Sequence, residues 1–144
     1  MWGVLLTTET TLIIIKPDGV ERGLVGEVIG RFERDGFRLE AATHLRLSGQ
    51  QAEGFYAEHR GKEFFPRLIE FTTSGPVLVL ALSREGAIER ARGLVGATNP
   101  AQAAPGTMRG DFGLDNTRNT VHASDSPESA RREVSFFFPE LVGR

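Results

Sequence analysis

His122, near the C-terminal end of the chain, is a candidate reagent, although structural networks also recruit a lone histidine, and Ser124 and Glu133 are its candidate partners. A neutral imidazole is nucleophilic near physiological pH without first losing a proton. In an extended segment alternate side chains share a face, so His122 and Ser124 project together and the hydroxyl can orient the ring or a group attached to it. Glu133 falls on the helix expected to follow and can fold back as a second orienting partner. Taken singly, Ser124 and Asp125 also suit ordinary turn and capping chemistry. Three cations matter in combination: Lys16 after an apolar run, Arg92 in a helical stretch, and Arg109 beside Gly110. Positive groups that converge can hold a phosphate chain, arginine bidentately, whereas each alone is more often a solvated surface charge. Phe64 and Leu68, four residues apart, are first a core pattern, although a nucleobase could sit between such groups.

The elements that must position these side chains follow from periodicity. "TLIIIK", residues 11–16, reads as a buried strand ended by a turn at Pro17, Asp18 and Gly19. Residues 23–35 place Leu24, Val25, Val28, Ile29 and Phe32 at helical spacing, with Gly36 as the stop. Residues 37–45 alternate, which predicts a half-buried strand with Phe37, Leu39, Ala41, Thr43 and Leu45 on one face. Ser48 caps a helix running through Tyr56, and a second helix over 62–72 completes a hairpin. After the "SGP" turn, "VLVLAL" is a central strand and 84–95 a helix. Residues 96–118 lose all periodicity and form a long Gly/Pro-rich loop, too long for an idle connector. A short extended segment, 119–123, precedes a helix that Ser126, Pro127 and Glu128 open and that ends near Phe136. With the hairpin and the last helix set aside, the order is β-α-β-β-α-β. That is a ferredoxin-like antiparallel α+β sheet with helices on one face.

Composition narrows the function. A chain of 144 residues fits one domain, residues 11–144, after an N-terminal extension at 1–10. A net charge of -2 argues against sequence-independent capture of nucleic acid. With no cysteine there is no thiol nucleophile or thiolate metal site, and a cytoplasmic setting is expected. The histidines at 44, 59 and 122 are too scattered for a zinc site. "MWGVLLTTET" lacks the basic start and long apolar stretch of a signal peptide or membrane span. "KPDGVERG" is not a P-loop, and the protein-kinase loops are absent.

Several stretches in order, "IIIKPDGVERGLVGEVI", "FYAEHRGKEFFPRL", "TSGPV", "GATNPAQAAPGTMRGDFG" and "NTVHASDS", resemble the nucleoside diphosphate kinase family over about residues 11–138. The resemblance implies transfer of a γ-phosphate from a nucleoside triphosphate to a nucleoside diphosphate, by a ping-pong cycle through a phosphohistidine. His122 matches the nucleophile, with Ser124 and Glu133 as its supports. Arg92, Thr98 and Arg109 match residues that hold the distal phosphates, and Tyr56 and Lys16 lie close to the transferring group. Lys16 and Asn119 match contacts to the sugar hydroxyls, and His59 approaches the inner phosphates. Phe64 stacks on the base with Leu68 beside it, which implies weak base selectivity because every base offers a stacking face. Mg2+ is expected to arrive on the nucleotide phosphates, with no dedicated protein site. The family's homo-oligomers are hexamers or tetramers, and a hexamer is the expectation here.

Overall fold

The computed structural model describes residues 8–141; most of the proposed N-terminal extension, residues 1–7, lies outside the described residues. Four strands, β1 (Thr8–Ile15), β2 (Arg38–Leu45), β3 (Val77–Glu85) and β4 (Val121–Ala123), form one sheet in the order β2-β3-β1-β4. Every neighbouring pair is antiparallel. This is the ferredoxin-like order expected from the sequence. β1 starts three residues earlier than the apolar run does, because Thr8, Glu9 and Thr10 pair with Glu85, Arg84 and Ser83. The same ladder keeps residues 83–85 in β3, so α5 (Ala87–Val95) begins later than its periodicity suggested.

The sheet is covered on both faces: the two helices of the β-α-β-β-α-β frame share one, as expected, and the hairpin and terminal helix that stand outside that order cover the other. Ile13, Ile15, Leu80 and Leu82 pack with Phe32 of α2 (Val25–Arg34) and with Ala87, Ala91 and Val95 of α5. Leu12, Ile14, Val77 and Val79 point the other way, against Phe55, Leu68 and Val134. Those come from α3 (Gly49–Phe55), α4 (Phe65–Thr72) and α7 (Pro127–Phe137). Hairpin and terminal helix thus supply the second layer. Strands with two dry faces read as continuous apolar runs, which explains "LIII" and "VLVLAL"; each such side chain contributes roughly 1.5–3 kcal/mol by burial.

Local chemistry sets the boundaries. "KPDG" makes a short helix, α1 (Pro17–Glu21), where a turn was expected: proline at the first helical position loses no needed donor. α2 ends in a Schellman motif, with Gly36 at φ +89°, its N–H donating to Glu33 and the Phe37 N–H to Phe32. The accompanying hydrophobic contact is the edge-to-face pair of Phe32 and Phe37, 5.1 Å between centroids. That contact commits Phe37 to the α2 side of the sheet. An extra residue at Glu40 then bulges β2 between Leu39 and Ala41, and Ala41 and Leu45 turn to the opposite layer. The single inward face predicted for residues 37–45 is therefore split, and Leu39 is left 45% exposed. Ser48 caps α3 in a reciprocal box with Gln51, as its position suggested.

Candidate functional site

β4 carries His122 into a cavity of about 660 Å3 between the α3–α4 hairpin, α5 and the 96–118 loop. The His122 Nε2 lies 2.7 Å from Glu133 Oε1, and the Ser124 hydroxyl donates to the same oxygen at 2.8 Å. The Leu12 N–H donates to Ser124 Oγ at 3.3 Å, so the serine is fixed from the neighbouring strand. Nδ1 of His122 has no hydrogen-bond partner among the described residues. The period-2 reasoning that put His122 and Ser124 on one face holds, because both meet Glu133. The glutamate arrives there through helix geometry: α7 buries Ala130, Glu133 and Val134, an i, i+3, i+4 stripe with a carboxylate among apolar groups. A buried carboxylate needs partners, and His122 and Ser124 supply them. Ser126 caps α7 by accepting from the Ser129 N–H, with Pro127 next.

The strand itself is shorter than expected. Residues 121–123 pair with β1, while Asn119 and Thr120 make a turn in which the Val121 N–H donates to the Asn119 carbonyl at 2.9 Å. Thr120 sits at φ +76°, unusual for a β-branched residue and worth about 1–3 kcal/mol of strain. Two bonds hold it: the Lys16 N–H donates to its carbonyl at 2.8 Å, and its hydroxyl donates to Asp18 Oδ2 at 3.1 Å. The turn delivers Asn119 to Lys16, whose Nζ donates to Asn119 Oδ1 at 2.9 Å. Asn119 Nδ2 in turn donates to the carbonyls of Thr98 and Asn116.

The three cations converge, as no periodicity could have shown. Lys16, Arg92 and Arg109 all line the cavity with His122. The Arg92 Nη1 donates to the Ala123 carbonyl, and Arg109 donates to the carbonyls of Gly96 and Val121 at 3.2 and 2.8 Å. Burial, then the Arg109 charge, lowers the Lys16 pKa to about 8; burial, then the Arg92 charge, brings Arg109 to about 10. Lys16 and Arg109, buried, and Arg92, half-buried, cluster positive charge on one wall, an arrangement that favours an anion there. Tyr56 is buried beside them, and burial followed by the Glu133 charge pushes its hydroxyl above the ordinary range, so it remains a donor.

The 96–118 loop, in which periodicity disappears, contains a 3-10 turn at Pro100–Gln102 and a five-residue helix, α6 (Met108–Phe112), capped by Thr107. Such a short helix leaves no periodicity to read. Gly110 is required there, since a Cβ would lie 2.2 Å from the Ala104 carbonyl oxygen. On the opposite wall Phe64, 40% exposed, faces His59 with centroids 5.3 Å apart, and Leu68 lines the cavity from the core beside it. Of the site residues expected from sequence, Lys16, Tyr56, His59, Phe64, Leu68, Arg92, Thr98, Arg109, Asn119, His122 and Glu133 line this cavity, and Ser124 is buried behind it. Sequence reasoning missed Phe55, which meets the His122 ring edge-on at 5.5 Å, and Asn116 and Thr117, whose carbonyls serve Asn119 and Lys16. The aromatic pair "FY" at 55–56 was the available signal for Phe55; the two carbonyls had none.

An imidazole tied to a buried carboxylate, in a pocket walled by cations on a ferredoxin-like sheet, defines an α+β domain equipped to bind anions next to a nucleophile. The model of the nucleoside diphosphate kinase family matches residues 9–142. The chain belongs to that family. It is 58% identical to the nucleoside diphosphate kinase of Archaeoglobus fulgidus over 132 residues, 92% of this chain and 87% of the relative. It is 53% identical to that of Staphylothermus marinus, over 94% of this chain and 96% of the relative. The solved Aquifex aeolicus nucleoside diphosphate kinase superposes with a TM-score of 0.91 at 43% identity, covering 94% of this chain and 98% of the other. The Halobacterium salinarum enzyme, solved in complex with CDP, gives 0.89 at 40% identity over 92% and 88% of the two chains. Among the described residues no helix is long and apolar enough to cross a membrane.

Proposed function

We propose that this nucleoside diphosphate kinase moves the γ-phosphate of a nucleoside triphosphate to a nucleoside diphosphate in two half-reactions, through a phosphoramidate on His122. The observation that carries the reading is the bond between Nε2 and Glu133, which leaves Nδ1 as the available nucleophile. The Nδ1 lone pair forms the N–P bond as the bond from phosphorus to the bridging oxygen breaks, and the diphosphate leaves with that electron pair. The proton on Nε2 stays on the ring, donated to Glu133, whose carboxylate balances the charge the ring acquires. Ser124 holds that carboxylate in place. The second half-reaction reverses these steps with another diphosphate, so one site serves donor and acceptor in turn.

The rest of the cavity positions and neutralises the phosphates, the main task in phosphoryl transfer. Arg92, Thr98 and Arg109 hold the distal groups, Tyr56 donates near the transferring oxygen, and His59 approaches the inner phosphates. Lys16 and Asn119, already bonded to each other, serve the sugar hydroxyls, with Lys16 also near the transferred group. Phe64 stacks on the base beside Leu68. Mg2+ would be held mainly by the nucleotide phosphates: the cations Lys16, Arg67, Arg92 and Arg109 line the cavity, and of its carboxylates Glu133 is committed to His122 and Ser124. When bound, the ion neutralises phosphate charge and orients the chain of phosphates.

The pH dependence follows from Lys16. Its charge is lost near pH 8 in the folded protein, against 10.5 for the ordinary side chain. The basic limb of kcat/KM, which reports the free enzyme, should therefore fall with an apparent pKa near 8. Between those two values the unfolded chain binds more protons, so this group's contribution to stability rises with pH. Activity should thus decline while the fold is retained, checked by kinetics and circular dichroism side by side. A basic limb unchanged in Lys16→Met would remove the assignment.

Residues 11–144 are read as one domain, and Thr8, Glu9 and Thr10 of the proposed N-terminal extension join its first strand. A cytoplasmic homo-oligomer, hexamer over tetramer, acting on ATP, GTP and other nucleotides and on no specific nucleic acid, completes the reading. The absence of cysteine and the net charge of -2 support the setting and the lack of nucleic acid. β2, an edge strand with Leu39 exposed, supports self-association.

Initial rates with donor and acceptor varied together test the cycle. Parallel double-reciprocal lines are expected, with kcat/KM for purine and pyrimidine acceptors within about tenfold of one another because stacking discriminates weakly. Intersecting lines would mean direct transfer without a phosphoenzyme.

A further inference from the structure

We propose that Arg31, on α2 and outside the cavity, is a positioning residue for phosphoryl transfer that acts through Arg109 by fixing α6 in place. The inference rests on the reading of Arg109 as a phosphate-holding residue. The Arg31 Nε donates to Glu27 Oε2 at 2.8 Å within its own helix, which aims the guanidinium. Its Nη1 then meets the loop twice, 3.0 Å from Asp111 Oδ2 and 3.3 Å from the Gly106 carbonyl oxygen. The guanidinium carbon stands 4.7 Å from the centre of the Phe112 ring. Asp111 closes the arrangement by accepting the Gly106 N–H on Oδ1 at 2.9 Å. One side chain thereby grips residues 106, 111 and 112, on both sides of Arg109.

α6 depends on such ties. Five residues are too few to hold a helix by their own hydrogen bonds, and the loop that carries them is long. Arg109 must nevertheless reach from α6 to the carbonyls of Gly96 and Val121 while it faces the cavity. A displacement of about 1 Å at a catalytic side chain can cost a hundredfold in rate. Pairs on partly exposed side chains add little to global stability; Arg31 and Asp111 are 20% and 30% exposed. The expected consequence of losing Arg31 is a large kinetic defect in a folded protein.

A double-mutant cycle tests this. kcat/KM and the single-turnover rate of phosphoenzyme formation are measured for the full-length protein, Arg31→Ala, Arg109→Ala and the double variant, with circular dichroism for the fold. Arg31→Ala should lower both rates between about ten- and a hundredfold, and add less than about twofold once Arg109 is gone. Asp111→Asn, which removes the ion pair from the loop side, should give the same pattern and serves if Arg31→Ala does not fold. Arg31→Lys should restore part of the rate, since a lysine reaches Asp111 without gripping three groups at once. An unchanged rate in both Arg31→Ala and Asp111→Asn overturns the proposal, as does a full defect that persists in the Arg109→Ala background. If Arg109→Ala is itself unimpaired, the underlying reading of Arg109 fails as well.

Discussion

His122→Ala should abolish transfer, lowering kcat by at least about 10^4-fold, the scale on which removing a covalent nucleophile acts. Three neighbouring polar groups at the site do not replace it. Tyr56 is held protonated by burial and the Glu133 charge, Lys16 is a cation at neutral pH, and Ser124 is buried with its hydroxyl committed to Glu133. The fold should survive the change. His122 is only part of the pocket wall, and Glu133 keeps the Ser124 hydroxyl as a partner after the imidazole is gone, so the cost to stability is of order 1 kcal/mol. Nucleotide binding should also survive, because Lys16, Arg92, Arg109 and Phe64 stay in place. A steady-state assay with ATP and a second diphosphate, together with nucleotide titration, checks both halves. Normal turnover in the variant would remove His122 from the reaction.

Arg109→Ala should lower kcat/KM by about 2–4 kcal/mol, roughly thirtyfold to several hundredfold, as expected for loss of a preorganised charge-stabilising donor. Arg109 is buried, bonded to two backbone carbonyls, and its Nε has no partner among the described residues. An arginine so placed serves the fold poorly, because burial and the neighbouring Arg92 both disfavour its charge. Its position makes sense if a phosphate supplies the missing counter-charge. The loss should fall mainly on kcat, since charge accumulates on the transferring oxygens as the reaction proceeds. Lys16 should behave as a neighbour relieved of repulsion, so its pKa rises and the basic limb of the pH profile moves upward in the variant. A reduced Tm with unchanged kcat/KM would assign Arg109 to structure alone.

Elements with many side chains on a regular period were legible in the sequence, and features set by a single residue or by convergence in space were not. The alternation of His122 and Ser124 predicted that they share a face, and both meet Glu133. Ser48 and Ser126 announced two helix starts through capping chemistry that acts within four residues. The bulge at Glu40 was hidden because one inserted residue reverses every later position of a strand without changing its composition. α6 was hidden because five residues complete little more than one turn. Thr120 was the least readable: a β-branched residue disfavours positive φ, and Lys16 and Asp18, far away in sequence, hold it there. Lys16, Arg92 and Arg109 could be suspected of holding phosphate but not brought together, because their convergence depends on three different elements meeting at the end of β4. The candidate roles of Tyr56, Thr98 and Asn119 came from family resemblance, and no spacing rule would have selected them.

The central claim is that the phosphoryl group rests on His122 between donor and acceptor. Mixing the protein with γ-labelled ATP in the absence of any acceptor, then quenching and separating protein from nucleotide, tests it most directly. The expected result is label on the protein that is stable in alkali and lost in acid, as for a phosphoramidate, absent from His122→Ala, and discharged to a triphosphate on adding a second diphosphate. Protein that stays unlabelled, or label that His122→Ala carries equally, would contradict it.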